Sequence, residues 1–493
     1  MSNGHVTTVS EPTQISLGRL SRPLVVDLDG TLLRSDLLIE GANAFVARHP
    51  FQFWRPLVWL LKGKVHLKTQ LAQATDCNVA TLPYNGKVLT WLQGEKAGGR
   101  RLILATASHR HLAEQVGDNL GIFDEVIATD RDRNMKGTTK RDALVARFGK
   151  RGFDYVGNDA SDIEIWRDAN EAWLVNPSSR LELRARKVAN VRGVIQESAK
   201  NTLHALTKAL RVHQWLKNLL VLVPVVTAHR ITSIEDVWAA TLAFVLFSVC
   251  ASGAYVLNDV IDVDDDRKHP RKCLRPFASG ELSLLTGWIL SPLLVLTALA
   301  GAFFLLPLAF VAVLSGYYVL TLAYSFFLKR TVLLDVVTWA ALYTLRLTAG
   351  AVAIAVAISF WLLAFSMFLF VSLAFIKRYT ELRTTAEASP ATRISGQGYY
   401  LTDRETVGVF GVSAGYLSVM VLALYIQDPA TVSLYSHAQL IWLACPLLLY
   451  WISRVWLLAR RGQMHDDPVV FAARDHVSWA VGALLVAIFA AAR

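Results

Sequence analysis

From about residue 212 onward the chain is a succession of long apolar runs broken by short polar loops, whereas the first two hundred residues alternate short apolar runs with polar stretches and spread their charges throughout. Runs long enough to cross a hydrocarbon core of about 30 Å predict membrane helices. Nine candidate spans fall at approximately 216–229, 236–257, 284–300, 302–320, 332–356, 359–376, 406–425, 437–457 and 477–491. The first is short for that thickness, and only Gly301 marks a turn between the third and fourth, so eight is the other count. In the first part, Leu24-Val25-Val26 stops at Asp27, and similar runs recur at Leu102–Ala105 and Tyr155-Val156. Helix-like stretches such as Lys140–Phe148 lie between them. That alternation predicts a parallel α/β sheet whose ligand site lies at the carboxyl ends of its strands. Residues 34–97 interrupt the alternation with a helical, Trp- and Leu-rich segment, read as a cap.

The expected fold is therefore multidomain: an N-terminal α/β, Rossmann-like domain with a helical cap, and a C-terminal all-α polytopic membrane domain of about nine transmembrane helices. The boundaries are a tail at 1–20, the α/β domain at 21–180 with its cap at about 34–97, a linker helix at 181–210, and the membrane domain at 211–493.

Charge refines this picture. With nine spans, the α/β domain shares a side with loops 258–283, 321–331, 377–405 and 458–476, which carry most of the Lys and Arg of the membrane part, Arg393 among them. The positive-inside rule then places both in the cytoplasm, in an integral inner (plasma) membrane protein. Met1 to Leu20 contains no apolar core of signal-peptide length, which agrees with a cytoplasmic first domain. The formal charge of +11 sits beside apolar runs, so anionic headgroups and phosphate ligands are expected partners and nucleic acid is not. Four scattered cysteines form neither a disulfide framework nor a zinc spacing.

Two constellations carry chemistry. Asp27-Leu28-Asp29-Gly30-Thr31 follows a β-like run, which places two carboxylates on one side of a strand end. One can attack phosphorus, the other can protonate a leaving oxygen, and a cation can bridge them to a phosphoryl group. Thr106 can hold a phosphate oxygen, Lys140 can neutralise one, and Asp162 can hold the metal. This set resembles the haloacid dehalogenase-like phosphohydrolases over residues 21–180. The resemblance implies Asp27 as nucleophile, Asp29 as acid/base, Thr106 and Lys140 as phosphate holders, and Asp162 as a Mg²⁺ ligand. The acid this family often has four residues before Asp162 is Asn158 here, whose oxygen can still bind Mg²⁺. The bland alternative is a degenerate domain that anchors or regulates.

The second constellation is Asn258, Asp259, Asp262 and Asp266, recurring at three and four residues at the end of the second apolar run. On a continuing helix Asp259, Asp262 and Asp266 share a face, where mutual repulsion calls for a cation. A solvated acidic loop is the dull reading, and the basic run through Arg271, Lys272 and Arg275 argues against it. The stretch resembles the first aspartate-rich motif of the UbiA-type membrane prenyltransferase superfamily, over about residues 208–492. The second acidic motif of the aromatic-acceptor members is replaced here by the mostly basic Lys377-Arg378-Tyr379-Thr380-Glu381-Leu382-Arg383. With Lys217, Arg275, Tyr324, Lys329, Tyr343 and Arg346, this loop resembles the decaprenyl-phosphate phosphoribosyltransferase branch, which supplies lipid-linked ribose for cell-wall arabinan. That resemblance implies Mg²⁺ on Asn258, Asp259, Asp262 and Asp266, phosphoribosyl diphosphate as donor, a polyprenyl phosphate as acceptor, and release of diphosphate. The N-terminal phosphatase would then remove the 5-phosphate. Asp335 is the partner considered for the intramembrane Arg346, and Trp339 is assigned to packing. The rival readings are an aromatic or lipid prenyltransferase with a prenyl diphosphate donor, and a membrane scaffold or transporter. Acceptor length and homo-oligomer formation stay open.

Overall fold

A computed structural model describes residues 22–75, 77–129, 135–197, 202–388, 398–428, 435–464 and 467–492. The tail at 1–20 and Arg393 lie outside the described residues. The chain forms two compact units: Met1–Ala209 together with Leu257–Ile289, and Leu210–Val256 together with Leu290–Arg493.

In the first unit six strands form one parallel sheet: β1 Leu24–Val26, β2 Leu102–His109, β3 Glu125–Thr129, β4 Asp154–Gly157, β5 Ala172–Val175 and β6 Val191–Ile195, in the order β3-β2-β1-β4-β5-β6. Apolar residues alternate along β1, so Leu24 and Val26 enter one core and Val25 the other. Both faces are covered, as a parallel sheet requires. From β1 the chain winds outward through β2 and β3 on one side and then crosses back to β4 on the other side of β1, which makes the carboxyl ends of β1 and β4 the switch point where ligands bind such sheets.

Two domain boundaries move. The linker helix expected at 181–210 is instead a helix, Ser179–Val188, the edge strand β6 and a second helix, Thr202–Ala209. The run Val191-Arg192-Gly193-Val194-Ile195 is β-branched enough to pair with β5. The cap is also shorter than 34–97. Helices Leu37–Arg48, Arg55–Leu61 and Lys64–Ala74 form it, whereas Gly86–Ala97 places Val88 and Leu92 in the core of the sheet.

Seven helices among the described residues are long and apolar enough to cross a membrane: Ile234–Ile261, Leu284–Leu305, Leu308–Phe326, Leu334–Ala353, Phe360–Thr384, Leu401–Gln427 and Ala438–Arg461. Pro468–Arg474 and His476–Ala492, bent by 83°, make an eighth if they count as one span. Residues 216–229 differ from the expectation of a span-length helix: a 3-10 helix, Val212–Leu222, leads into the five-residue Val223–Thr227. Gly350 lets that segment approach, since a Cβ there would lie 2.0 Å from the Val221 carbonyl oxygen. The third and fourth expected spans separate at Leu306-Pro307, not at Gly301. Gly301 is inside a helix, where its missing side chain admits Leu246.

Candidate functional site

In the first unit the loops after β1, β2 and β4 meet around a cavity of about 440 Å³ lined by Asp27, Asp29, Ser108, Lys140, Asn158 and Asp162, among others. Gly30 has φ +75°, and a side chain there would strike Asn158, so the tight turn after Asp29 depends on glycine. Lys140 Nζ lies 2.7 Å from Asp27 Oδ1 and donates to the Tyr155 hydroxyl at 3.0 Å. Tyr155 in turn donates to Asp162 Oδ1 at 2.9 Å. Asp29 accepts from the Ser108 hydroxyl at 2.7 Å, the Thr106 hydroxyl at 3.3 Å and the Leu37 amide at 2.9 Å. Thr31 donates to Asn158 Oδ1 at 3.1 Å. Asp27, Asp29, Thr106, Lys140, Asn158 and Asp162 are thus brought together from positions spread over the domain.

Electrostatics separates their roles. Burial raises Asp27, against the pull of Lys140. Burial, helped by nearby Asp36, pushes Asp29 up to about 6. Burial and Asp27 push Asp162 up to about 6. Burial would lower Lys140, but Asp27 and Asp162 outweigh it and hold the ammonium above its ordinary value. Asp162 also takes the amides of Asn158 and Asp159, both at 3.0 Å, so it shapes the loop that presents Asn158. Thr31, Ser108 and Tyr155 complete the network. The sequence holds no signal for the last two, whose contacts arise from strand ends and a neighbouring loop.

The same unit holds the acidic turn. Helix Ile234–Ile261 ends at Asp262, and Val263–Lys268 continues it with the Asp266 amide bonded to the Asp262 carbonyl at 2.8 Å. Asp259 and Asp266 are buried, and both accept from Arg275 Nη1, at 3.1 and 2.6 Å. Asn258 and Asp262 are half-buried beside them. Burial raises Asp266, with Arg275 opposing. Arg275, expected on a phosphate, here neutralises two carboxylates. Among the described residues no three His, Cys, Asp or Glu side chains converge as a ready-made cage. Two convergent carboxylates still suit a hard divalent cation such as Mg²⁺, which takes one or two protein carboxylates and completes its shell with water and phosphate.

This turn is fastened to the cap. Arg267 meets Glu40 in a two-pronged pair at 2.7 and 3.0 Å with both side chains nearly inaccessible, and Asn43 donates to the Val260 carbonyl at 2.8 Å. Trp288 donates to Asn43 at 3.1 Å, and Arg34 donates to the Ser279 carbonyl at 3.2 Å.

In the second unit a different set converges. Lys217 pairs with Asp467 at 2.6 Å, with its Nζ over the rings of Trp339 and Tyr343 at 5.8 and 5.9 Å. Lys377 joins the group with its Nζ 5.2 Å from the Trp339 ring. Arg346 is buried against Tyr343, Tyr317 and Phe247 and donates to Asn218 at 2.8 Å. The Tyr343 hydroxyl is buried without a hydrogen-bond partner, and its ring lies under both Lys217 and Arg346. Asp335 does not pair with Arg346. It takes Arg378 and the Tyr399 hydroxyl, because three helical turns separate it from Arg346 along one helix while Arg378 arrives from another. Tyr324 and Lys329 are half-buried, one in the last turn of Leu308–Phe326 and the other just beyond it. Trp339, assigned to packing from sequence, is the shared cation-binding face, and Asp467 had no sequence signal.

Known proteins resemble the chain at several scales. An uncharacterised protein of Sinorhizobium fredii, y4nM, is 34% identical over 469 residues, which is 95% of this chain and 90% of that protein. The nodulation protein NoeC of Azorhizobium caulinodans is 41% identical over 278 residues, 54% of this chain and 86% of its own. The decaprenyl-phosphate phosphoribosyltransferase of Mycobacterium tuberculosis is 36% identical over 214 residues, 42% of this chain and 70% of its own. With an α/β first domain, an all-α second part of seven or eight membrane-length helices, and a match to the family's sequence profile at residues 220–491, the chain belongs to the UbiA prenyltransferase family.

Proposed function

We propose that this protein transfers a 5-phosphoribosyl group from phosphoribosyl diphosphate to a polyprenyl phosphate, and that its first domain is a haloacid dehalogenase-like phosphatase that removes the 5-phosphate from the product. The observation that carries the transferase half is the cluster of Lys217, Arg346 and Lys377 around Trp339 and Tyr343. A prenyl diphosphate donor brings one anionic group, whereas phosphoribosyl transfer brings three: the leaving diphosphate, the 5-phosphate and the acceptor phosphate. Several separate cations suit the second case. The partial identity with the mycobacterial phosphoribosyltransferase supports the same choice.

In this reading an oxygen of the lipid phosphate attacks the anomeric carbon of ribose, the bond from that carbon to the diphosphate oxygen breaks, and the diphosphate leaves with the electron pair. A phosphate monoester is ionised near neutral pH, so no strong general base is required. Lys217, Lys377 and Arg378 would orient phosphates, with Arg346 and Tyr343 packed beside Lys217, and Tyr324 and Lys329 would supply further polar contacts. Asp259 and Asp266, assisted by Asn258 and Asp262, would hold Mg²⁺, which when bound offsets the charge of the departing diphosphate.

In the phosphatase reading Asp27 attacks phosphorus, Asp29 donates a proton to the leaving oxygen and later takes one from water, and Lys140, Thr106 and Ser108 hold the phosphoryl oxygens. Asp27, Asp29, Asn158 and Asp162 would hold Mg²⁺ there. Carrying both activities on one chain raises the effective concentration of the second substrate. In this reading the basic loops and both activities face the cytoplasm. The test is incubation of the protein in nanodiscs with labelled phosphoribosyl diphosphate, Mg²⁺ and polyprenyl phosphates. Label moves into the lipid fraction, and Asp27→Asn accumulates the 5-phosphorylated lipid. Label that stays in water with every acceptor refutes the transferase, and an Asp27→Asn product identical to the unaltered protein's refutes the coupled phosphatase.

A further inference from the structure

The cap carries a surface that neither proposed reaction uses. Helix Arg55–Leu61 buries none of its residues. Phe51, Phe53, Trp54, Leu57, Leu60 and Leu61 are all exposed, Phe51 at 79%, Leu57 at 64% and Leu61 at 88%. Large apolar side chains gathered in this way rarely face water in a soluble domain, and they mark a surface with a partner.

Charge identifies that partner. No acidic residue occurs from Gly41 through Thr75, while Arg48, Arg55, Lys62, Lys64 and Lys68 fall within the same stretch. Arg48, Arg55, Lys62 and Lys64 are exposed around the apolar side chains. Tryptophan, phenylalanine and leucine on one side and lysine and arginine around them form the pattern of a segment lying in a phospholipid headgroup layer. A bilayer is within reach of every copy of this chain, because its other unit spans one.

Two residues connect this surface to the cavity. Lys64 and Lys68, which begin and continue the next helix, line the cavity that holds Asp27. A volume of about 440 Å³ has room for a phosphorylated sugar but not for a polyprenyl chain. We propose that residues 50–64 are an interfacial anchor seated in anionic phospholipid, and that the cavity takes its phosphate from a lipid-borne monoester whose head enters while its tail stays in the bilayer. The anchoring half stands on exposure and charge alone. The substrate half rests on the phosphatase reading.

The test uses the full chain in nanodiscs of phosphatidylglycerol and phosphatidylethanolamine. Nitroxide labels are placed at Leu57→Cys and Leu61→Cys in a Cys273→Ser background, with Leu183→Cys, 63% exposed on helix Ser179–Val188, as the control. Labels at 57 and 61 are expected to collide more with oxygen than with a water-soluble nickel complex, and the control to do the reverse. Labels at 57 and 61 that behave like the control overturn the anchor. So do labels shielded from both reagents with dipolar broadening between copies, which would assign the surface to a second copy of the chain. For the substrate half, Leu57→Ser with Leu61→Ser is expected to raise KM for a polyprenyl phosphate monoester in the bilayer at least tenfold and to leave hydrolysis of para-nitrophenyl phosphate unchanged. Equal effects on both substrates overturn the lipid assignment while the spin-label result stands. Absence of hydrolysis of either by the unaltered protein overturns the phosphatase reading and, with it, the substrate half alone.

Discussion

Removing the Glu40 carboxylate tests whether the cap holds the acidic turn in place. Arg267 and Glu40 are 4% and 2% exposed at their side chains, so Glu40→Ala leaves a guanidinium almost out of water. Its other contacts are the Ala278 carbonyl at 3.2 Å and Asp264, 3.7 Å away and one-third exposed. Breaking a buried pair from one side costs about 3–5 kcal/mol. At about 1.4 kcal/mol per decade, an open population of the 263–283 segment would rise by roughly two to three and a half orders of magnitude. The bonds from Asn43 to the Val260 carbonyl and from Arg34 to the Ser279 carbonyl hold neighbouring points and keep the segment from leaving altogether. Amide exchange in nanodiscs reads this directly. The Asp266, Ser279 and Leu282 amides, bonded to Asp262, Arg275 and Pro276, should exchange on the order of a hundredfold faster in Glu40→Ala. Transferase turnover should fall with them, since Asp266 is fixed by the same turn. Glu40→Met with Arg267→Met should recover most of the protection, because neither charge is then stranded. Exchange within threefold of the unaltered protein in Glu40→Ala would refute the reasoning, as would equal exchange in the single and double variants.

Three further outcomes follow from the two units. Asp29 and Asp162 are each raised to about 6, so the folded first unit binds more protons than the unfolded chain between about pH 4 and 6. The stability these two groups contribute is therefore fullest below about pH 4 and is lost as pH rises through 6, at a rate approaching about 1.4 kcal/mol per pH unit for each group within that window. Melting in chelator should show this fall, and Mg²⁺ should raise Tm more at pH 7 than at pH 5. Lys217→Met or Asp467→Leu alone should cost about 3–5 kcal/mol and the pair together much less, whereas phosphoribosyl transfer should stay at least a hundredfold down in Lys217→Met whether or not Asp467 is altered. A full return of transfer in the double variant would assign Lys217 to structure alone. Gly350→Ala, which puts a Cβ against the Val221 carbonyl, should destabilise the second unit by about 1–3 kcal/mol in thermal melts, while Gly316→Ala, with open space around it, should be neutral or stabilising.

What could be read from the sequence divides along physical lines. Local periodicity reveals the strand before Asp27, the strands at 102 and 155 and the membrane helices, because each carries its own pattern of 2 or 3.6 residues or sheer apolar length. β3 and β6 escape it because polar residues or glycine interrupt the apolar run, at Glu125, Thr129, Arg192 and Gly193, while β5 is a plain four-residue apolar run with no motif behind it. Pairings are legible only where the residues are near in the chain. Asp259 and Asp266 share a face by spacing, as expected, and their meeting on Arg275 follows from the short loop. Lys217 and Asp467 are 250 positions apart, and no periodicity announces such a pair. Asp335 shows the converse error. It is an acid close to Arg346 in sequence, but helical geometry puts eleven residues about 16 Å apart along the axis, and Arg378 from the next helix takes its place.

The acidic turn packs with the first domain and not with the helices that flank it in sequence, since Leu257–Ile289 groups with residues up to Ala209. Residues up to Ala209 and residues Leu257–Ile289 belong to one compact unit, tied by the Glu40–Arg267 and Asn43–Val260 contacts. Helix Ile234–Ile261 is long and apolar enough to cross a membrane, and residues 210–233 before it hold no such helix. The 3-10 helix Val212–Leu222 has eleven residues, about 22 Å at 2.0 Å each, and Val223–Thr227 adds about 8 Å at 1.5 Å each. Each piece alone is shorter than the hydrocarbon thickness of about 30 Å. The tighter winding exposes backbone that an α-helix would shield, and Gly350 lets the Val221 carbonyl pack directly against a neighbouring helix. Among the described residues the helices long and apolar enough to cross a membrane therefore number seven, or eight with the bent pair at the carboxyl end taken as one span.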